Sequence, residues 1–267
     1  MPLSRVAEWY VLAELAALIT ESDLTHAQIA EPLGVTTRTI QNYVSGETRP
    51  KAGMAARLAQ ICGATEKRID FLTHVISQLD SGAIVSDLNK RNIFILERGE
   101  ATSGEIWKFE TQYVPGPFQI KRYHMEKLPE PSNNLLRNWE RKLRRYTTIR
   151  KSKPAPIVNA LMSTHVLRQI RDWDGAEQQF NHLLEIDRWP NCEIRLLDSL
   201  QYGAEHSFEL YLPGGRPKAP PPFVYVESVD QSRHIEDAAK LGLYDGRIKT
   251  MWSAGQRIEG RLDDWIR

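Results

Sequence analysis

The 267-residue sequence lacks the features that mark several classes of protein. Its only cysteines, Cys62 and Cys192, lie far apart and form no Cys-x-x-Cys pair, which disfavours a disulfide framework and a zinc site. The seven histidines form no His-Glu-x-x-His motif. No apolar run approaches the ~18 residues of a membrane span. We therefore expect no cofactor, no metal and no membrane partner.

The N-terminal residues also lack the pattern of an export signal. An apolar stretch lies near the start, but Glu8, Glu14 and Glu21 interrupt it at helical spacing. A secretory signal instead has a basic start followed by an uninterrupted apolar segment. The expected location of the protein is therefore the cytoplasm.

Positive charge is concentrated in two segments, although the net charge of the whole chain is only +1. Residues 38–57 contain four basic residues and one acidic residue, and residues 137–153 contain eight basic residues and one acidic residue. The rest of the chain is neutral to acidic. These two segments are therefore the candidates for contacts with an anionic partner.

The spacing of apolar residues divides the chain into two regions. Over residues 1–79, apolar residues recur at helical spacing in five segments, as at Met54, Leu58 and Ile61, which predicts a five-helix domain. Residues 105–267 combine strand-like and helical segments and predict a mixed α+β domain with a small, mainly antiparallel sheet. Residues 80–104 are taken as a connecting segment. The predicted fold class of the whole chain is α+β.

Individual elements of the second region follow from composition and turn residues. The strand candidates are 92–98, which a predicted turn follows, 192–198, 207–212 and 223–228. The helix candidates are 156–170, 176–186 and 246–266.

The most informative segment, 24–50, has the residues of two short helices joined by a sharp turn. Thr25 and Thr36 are N-cap residues, whose hydroxyls accept hydrogen bonds from otherwise unpaired amides. Gly34 supplies the positive φ that ends the first helix, and Val35 fills the core under the turn. The segment therefore predicts a helix-turn-helix with its second helix at about 36–45.

The second helix of this motif has a polar face suited to reading bases. Ile40, Tyr43 and Val44 are expected to face the core. On the opposite face, Arg can donate twice to guanine and Asn or Gln can pair with adenine, while neighbouring polar residues anchor phosphates. The predicted DNA-binding residues are Gln28, Thr36, Thr37, Arg38, Gln41, Asn42, Ser45, Arg49 and Lys51. A solvated polar face is common in helical bundles, but caps, turn glycine and outward polar residues together favour DNA binding.

The same segment resembles the Xre-type helix-turn-helix of lambda-type repressors and Cro. The resemblance is carried by Leu24-Thr25, Gln28, Ile29-Ala30, Leu33-Gly34-Val35, Ile40, Ser45-Gly46 and Arg49-Pro50. It implies a five-helix domain that reads double-stranded DNA in the major groove. One departure is Pro32, which costs ~3 kcal/mol inside a regular helix and is expected to bend or shorten the first helix.

The remainder of the chain, 105–267, resembles a C-terminal domain that often follows Xre-type domains in actinobacterial regulators. The resemblance is carried by the segments 113–124, 141–151, 183–198 and 222–228. The molecular function of that domain is largely unassigned. The resemblance also implies a small partner protein encoded nearby.

The basic segment 137–153 leaves three interpretations open. It is a solvated helix that runs into a loop, an auxiliary phosphate-binding surface, or a surface for an acidic partner. The residues of the phosphate-binding interpretation are Arg141, Arg144, Arg145 and Lys151.

The sequence as a whole predicts a sequence-specific transcriptional regulator of the repressor type, and not an enzyme. One recognition helix reads only about 4–5 base pairs, too few to find one operator in a genome, which favours a homodimer. The α+β domain is then expected to dimerise, to bind a small-molecule effector or to bind the partner protein. The alternatives are a DNA-targeted enzyme and a toxin–antitoxin-like interaction module, each with its activity in the second domain.

Overall fold

The computed structural model describes residues 4–82, 87–88, 93–128, 134–198, 205–227 and 232–266. The chain divides into two compact units. The smaller unit comprises Met1–Arg98 and Val229–Glu236, and the larger unit comprises Gly99–Ser228 and Asp237–Arg267. Each unit therefore combines segments that are distant in sequence.

Residues 4–82 form the five helices that the apolar spacing predicts. Their bounds are α1 Arg5–Glu21, α2 His26–Leu33, α3 Thr37–Ser45, α4 Ala52–Ile61 and α5 Glu66–Ser81. The hydroxyls of Ser4, Thr25 and Thr36 each accept a hydrogen bond from an amide in the first turn of the helix that follows. The unit also contains an antiparallel strand pair, β1 (Asp87–Leu88) and β7 (Ser232–Ile235).

The core of the smaller unit combines aromatic packing with a buried carboxylate. The rings of Tyr10 and Phe71 meet edge to face with their centres 5.3 Å apart. Glu14 on α1 is also buried, and its carboxylate accepts hydrogen bonds from Arg68 and from Arg98. A buried charge is tolerated when hydrogen-bonded groups of opposite charge compensate it. Glu14 therefore ties α1 to α5.

The larger unit is built around a mixed sheet. Across the sheet the strands are β6 (Phe223–Glu227), β5 (Phe208–Leu212), β2 (Glu105–Glu110), β3 (Ile157–Ser163), β4 (Cys192–Leu197) and β8 (Gln256–Arg257). The pairs β2–β3 and β3–β4 are parallel, and the pairs outside them are antiparallel. The predicted α+β class is confirmed, with the parallel pairs at the centre of the sheet.

Helices cover both faces of this sheet. Within the described residues they are α6 Ile93–Thr102, a 3-10 turn at Gly116–Phe118, α7 Lys121–Lys127, α8 Leu135–Lys151, α9 His165–Arg168, α10 Ala176–Asp187, α11 Ala238–Ala254 and α12 Leu262–Ile266. Successive side chains of β2 point to opposite faces. Trp107 packs against Trp252 of α11, whereas Lys108 bonds to Glu100 of α6.

Three predicted elements are wrong. The strand expected at 92–98 is instead the start of the helix α6, which continues into the expected turn as far as Thr102, and residue 92 itself lies outside the described residues. The helix expected at 156–170 contains the strand β3, followed by the short helix α9. The helix expected at 246–266 ends at Ala254, and β8 and α12 follow it.

The first two errors have a physical cause. A short apolar run such as that at the start of α6 has no periodicity that separates a buried strand from a buried helix. β3 has a parallel neighbour on each side, and Val158, Ala160 and Leu161 are all buried, so the alternation of a half-exposed strand is missing. The predicted strands β4, β5 and β6 and the predicted helix α10 are confirmed.

Candidate nucleic-acid interface

Local contacts and one left-handed glycine define where α2 and α3 begin and where α2 ends. Thr25 and Gln28 form a reciprocal capping box, in which the Thr25 amide donates to Gln28 Oε1 at 2.8 Å. Gly34 ends α2 in the left-handed conformation, with φ of 68°. Thr36 Oγ1 then accepts the Thr39 amide at 3.2 Å and starts α3. The entry angle of α3 is therefore set by local contacts.

Helix α3 has one buried face and one exposed face. Ile40 and Tyr43 are buried, and Val44 is half-buried. The predicted base-reading residues divide into three that are exposed and one, Asn42, that is half-buried; the exposed ones are Thr37, Arg38 and Gln41. In the described part of the chain Arg38 has no ion-pair partner, so its guanidinium is available to an external acceptor.

Two of the predicted contacts also serve as caps. Gln28 is exposed, but its Oε1 accepts from the Thr25 amide and hydroxyl, so its side-chain NH2 is the group left to donate outward. Thr36 Oγ1 lies 3.0 Å from Thr39 Oγ1 in addition to capping α3. Ser45 is exposed and its hydroxyl donates to the Asn42 carbonyl at 3.2 Å.

Arg49 and Lys51, which are predicted to contact phosphates after α3, both lie beside the carboxylate of Asp80, a partner that the sequence did not predict. Arg49 Nη2 lies 2.7 Å from Asp80 Oδ1, and Lys51 Nζ lies 3.6 Å from Asp80 Oδ2. The hydrogen bond from Arg49 holds the pKa of Asp80 below its usual range, and the Arg49 and Lys51 charges add to this. The Lys51 side chain is 85% exposed, against 27% for Arg49. Lys51 is therefore the more accessible of the two cations, and no local pattern links either of them to residue 80.

Pro32 does not shorten α2, although shortening is one of the two effects expected from the sequence. The helix extends to Leu33, and the Val35 amide reaches back to the Ala30 carbonyl at 3.1 Å. The Pro32 carbonyl accepts a hydrogen bond from Arg57 Nη2 at 2.8 Å, which ties α2 to α4. The missing amide of Pro32 removes one helical hydrogen bond, and only Leu33 follows it in the helix.

The second basic segment, in the larger unit, is less basic at its surface than its sequence indicates. Arg144 and Lys151 are exposed and Arg141 is half-buried. Arg145 is buried, and its guanidinium donates to both oxygens of Glu100 at 2.7 and 2.8 Å. Its prediction as a phosphate contact is corrected, because its charge is compensated inside the protein.

Arg145 belongs to a buried ion-pair network. Lys108 Nζ donates to Glu100 at 2.9 Å and to Glu209 at 2.5 Å. Burial alone would raise the pKa of Glu100, but Arg145 and Lys108 outweigh it and hold that pKa at about 2. The network therefore consists of charged groups that compensate one another inside the larger unit.

The described residues also lack two other features. No group of three or more His, Cys, Asp and Glu side chains there is arranged to hold a metal ion. Among the helices described, none is both long enough and apolar enough to cross a membrane.

Two protein families match the chain. Residues 12–72 match the family described as "Helix-turn-helix domain", and residues 96–258 match the family described as "Domain of unknown function (DUF5753)". The first match contains α2 and α3, and the second covers more than half of the sequence. No curated protein matches the chain. The helix-turn-helix identified from the sequence is confirmed, followed by a region whose function is unassigned.

Proposed function

The chain belongs to the family described as "Domain of unknown function (DUF5753)", preceded by a helix-turn-helix domain, and on this premise we propose that it is a cytoplasmic, sequence-specific transcriptional repressor. The helix-turn-helix domain makes the chain a DNA-binding regulator. Beyond DNA binding, we propose that the protein prefers a particular sequence, represses transcription and assembles with two-fold symmetry. In this proposal residues 1–79 bind DNA, residues 80–104 form the connection and residues 105–267 regulate binding.

The observation that carries the proposal is the exposed polar face of α3. Arg38 and Gln41 are exposed, and Asn42, one helical turn after Arg38, is half-buried. These side chains supply the donors and acceptors that distinguish guanine and adenine in the major groove. The buried face formed by Ile40 and Tyr43 holds the helix, so the polar residues have a fixed register toward DNA.

Phosphate contacts would fix the orientation of α3 without specifying sequence. Lys51 and the amide group of Gln28 lie at opposite ends of the motif and are both exposed. Arg49 is held by Asp80, so a phosphate that approaches it competes with an existing ion pair. We therefore assign Lys51 the larger role in non-specific affinity.

Two-fold assembly follows from the length of the recognition helix. A recognition helix of nine residues contacts about 4–5 base pairs, whereas a genome offers about 10⁶ or more competing sites. Two copies whose recognition helices lie about 34 Å apart would read two half-sites on one face of DNA. The region 105–267 is the part of the chain we propose for this dimer contact, for a partner protein or for an effector.

The test is selection of preferred sites from random DNA by the full-length protein, followed by fluorescence anisotropy on the enriched site. We expect an enriched, two-fold symmetric motif. Arg38→Ala should reduce affinity for that site by ~1–3 kcal/mol and relax the preferred base at one position in each half-site. A reporter placed behind the site should be expressed more strongly when the protein is absent.

The matched control is Arg5→Ala, because Arg5 is an exposed arginine of the same unit outside the motif. It should leave affinity and preference unchanged. If no motif is enriched, or if Arg38→Ala weakens specific and random DNA equally, then sequence-specific reading by α3 is wrong.

A further inference from the structure

Helix α8 of the larger unit has one buried face and one exposed face. Arg145 and Ile149 are buried on the first face. On the second face, Leu136 is 64% exposed and Leu143 is 47% exposed. Because the two leucines lie seven residues apart, almost two full turns, they lie on the same side of the helix. Among the described helices, only α8 has two large apolar side chains in solvent.

Cations form a row along one side of this leucine pair. Arg137, Arg144 and Lys151 repeat at intervals of seven residues, and all three are exposed. Arg137 and Arg144 each directly follow one of the leucines, which places them about 100° around the helix from it. In the part of the chain that the structure describes, none of the three cations is paired with a carboxylate. The row is therefore available to an external anion.

The other side of the leucine pair is already packed within the chain. The ring of Trp139 lies 6.1 Å from the ring of His124. The ring of Tyr146 meets the ring of Trp189 edge to face, with their centres 5.1 Å apart. The part of α8 that is left without contacts therefore consists of the leucine pair and the basic row beside it.

A ligand that fits this surface has to cover two leucines and supply anionic groups along one side of them. DNA phosphates would pair with the cations, but they offer the leucines a polar backbone. A second copy of α8 would bring leucines, but Glu140 is its only acidic residue, so the basic rows would lack carboxylate partners. An amphipathic helix with acidic residues beside its apolar stripe meets both requirements.

We propose that this face of α8 binds an acidic amphipathic helix of another protein. The apolar residues of that helix pack on Leu136 and Leu143, and its Asp and Glu side chains lie opposite Arg137, Arg144 and Lys151. With 17 residues, α8 is about 25 Å long, so it can pair with about four turns of the partner helix. Binding of such a helix does not depend on the proposed function.

The test selects ligands from a phage-displayed library of single helices with randomised surface positions, using the immobilised full-length protein. We expect the enriched helices to have apolar residues seven positions apart with Asp or Glu beside them. A synthetic copy of the most enriched helix should bind saturably in fluorescence anisotropy, and more weakly as salt rises. If no helix is enriched, or if the enriched helices are neutral or basic, the proposal is overturned.

Variants with matched controls locate the binding surface. Leu143→Asp should weaken binding of the synthetic helix at least about tenfold, the scale of moving one leucine from water into an interface. Leu143→Ala, which adds no charge, should act in the same direction. Arg144→Glu should also weaken binding. The controls are Leu243→Asp and Lys240→Glu, because both residues are exposed on α11. Equal losses in variants and controls would place the helix elsewhere and overturn the assignment.

Two further measurements test the other occupants of this face. We expect Leu143→Asp to leave the oligomeric state in sedimentation unchanged, and Arg144→Glu to reduce affinity for the synthetic helix more than affinity for random DNA. A wild-type dimer that Leu143→Asp separates into monomers would make the occupant a second copy of the chain. An equal or larger loss on random DNA would make the occupant a phosphate backbone. Either of these results overturns the proposal.

Discussion

The two basic segments of the chain differ in how much charge they present. Residues 38–57 have the smaller net charge, yet Arg38 and Lys51 are exposed. Residues 137–153 have a net charge of +7, yet Arg145 is buried against Glu100 and Arg141 and Lys142 are half-buried, so five of the eight basic residues are exposed. The number of basic residues in a segment therefore overestimates the charge at its surface, because burial depends on partners elsewhere in the chain.

Helix geometry explains the difference. On α3 the core-facing residues are Ile40 and Tyr43, so Arg38 lies on the exposed face of the helix. On α8 Arg145 lies one helical turn before Ile149, and both are buried. A cation on the buried face of a helix requires a compensating carboxylate, which Glu100 supplies.

Three of the four predictions that follow test this contrast, and the second tests Glu110, whose pKa depends on Glu209 and Lys108 of the buried network. They run from the largest expected effect on free energy to the smallest.

Arg145→Ala should destabilise the protein most. It would leave Glu100 buried with one of its two cations removed, and breaking a buried pair from one side costs ~3–5 kcal/mol. Urea unfolding of the full-length protein measures the loss. Arg144→Ala, an exposed neighbour, should change the unfolding free energy by less than about 0.5 kcal/mol. Equal losses in the two variants would show that Arg145 is not a buried partner.

Glu110 should make stability depend on pH. Burial, and then the charge of Glu209, raise the pKa of Glu110 from 4.5 to about 7. Between these values the folded state holds a proton that the unfolded chain releases, so the unfolding free energy falls as pH rises from about 4.5 to 7, by up to about 3 kcal/mol.

The variant Glu110→Gln, neutral at every pH, isolates this contribution. The difference in unfolding free energy between variant and wild type should grow in favour of the variant as pH rises from 5 to above 7. A difference that is constant over this pH range would mean that Glu110 keeps an ordinary pKa.

Asn42→Ala and Lys51→Ala should separate base reading from phosphate contact within the first segment. Asn42→Ala should cost ~1–3 kcal/mol on the preferred site and little on random DNA. Lys51→Ala should weaken both DNAs alike and reduce the salt slope by about 1. Anisotropy titrations at several salt concentrations measure both quantities. If the two variants change the affinities for both DNAs and the salt slope in the same way, the assignment of Asn42 to base reading and of Lys51 to phosphate contact is wrong.

The exposed cations of the second segment should have the smallest effect on sequence preference. If they contact phosphates, Arg144→Gln with Lys151→Gln should reduce the slope of log affinity against log salt by up to about 2, without changing the preferred sequence. Salt titrations on the preferred site and on random DNA measure this. An unchanged slope would leave α8 as a solvated helix or a surface for a protein partner.

The candidate interface was predictable because its determinants are local. The side chains of Thr25, Gln28 and Thr36 bond within three residues of their own positions, and Gly34 needs only its own positive φ. What the sequence did not predict in this unit is Asp80 on α5, which reaches Arg49 in the loop after α3. No spacing rule connects positions 31 residues apart.

The sequence by itself determined the helix-turn-helix, the five helices of residues 4–82 and the α+β class, because caps, turn glycines and apolar spacing act over one or two helical turns. Only the tertiary structure decided that β3 is a central strand, that Arg145 is buried and that Leu136 and Leu143 remain exposed. Each depends on strand order or on a partner far along the chain, as when Glu100 meets Arg145 across 45 positions. Such contacts form only when the whole sheet and its helices assemble.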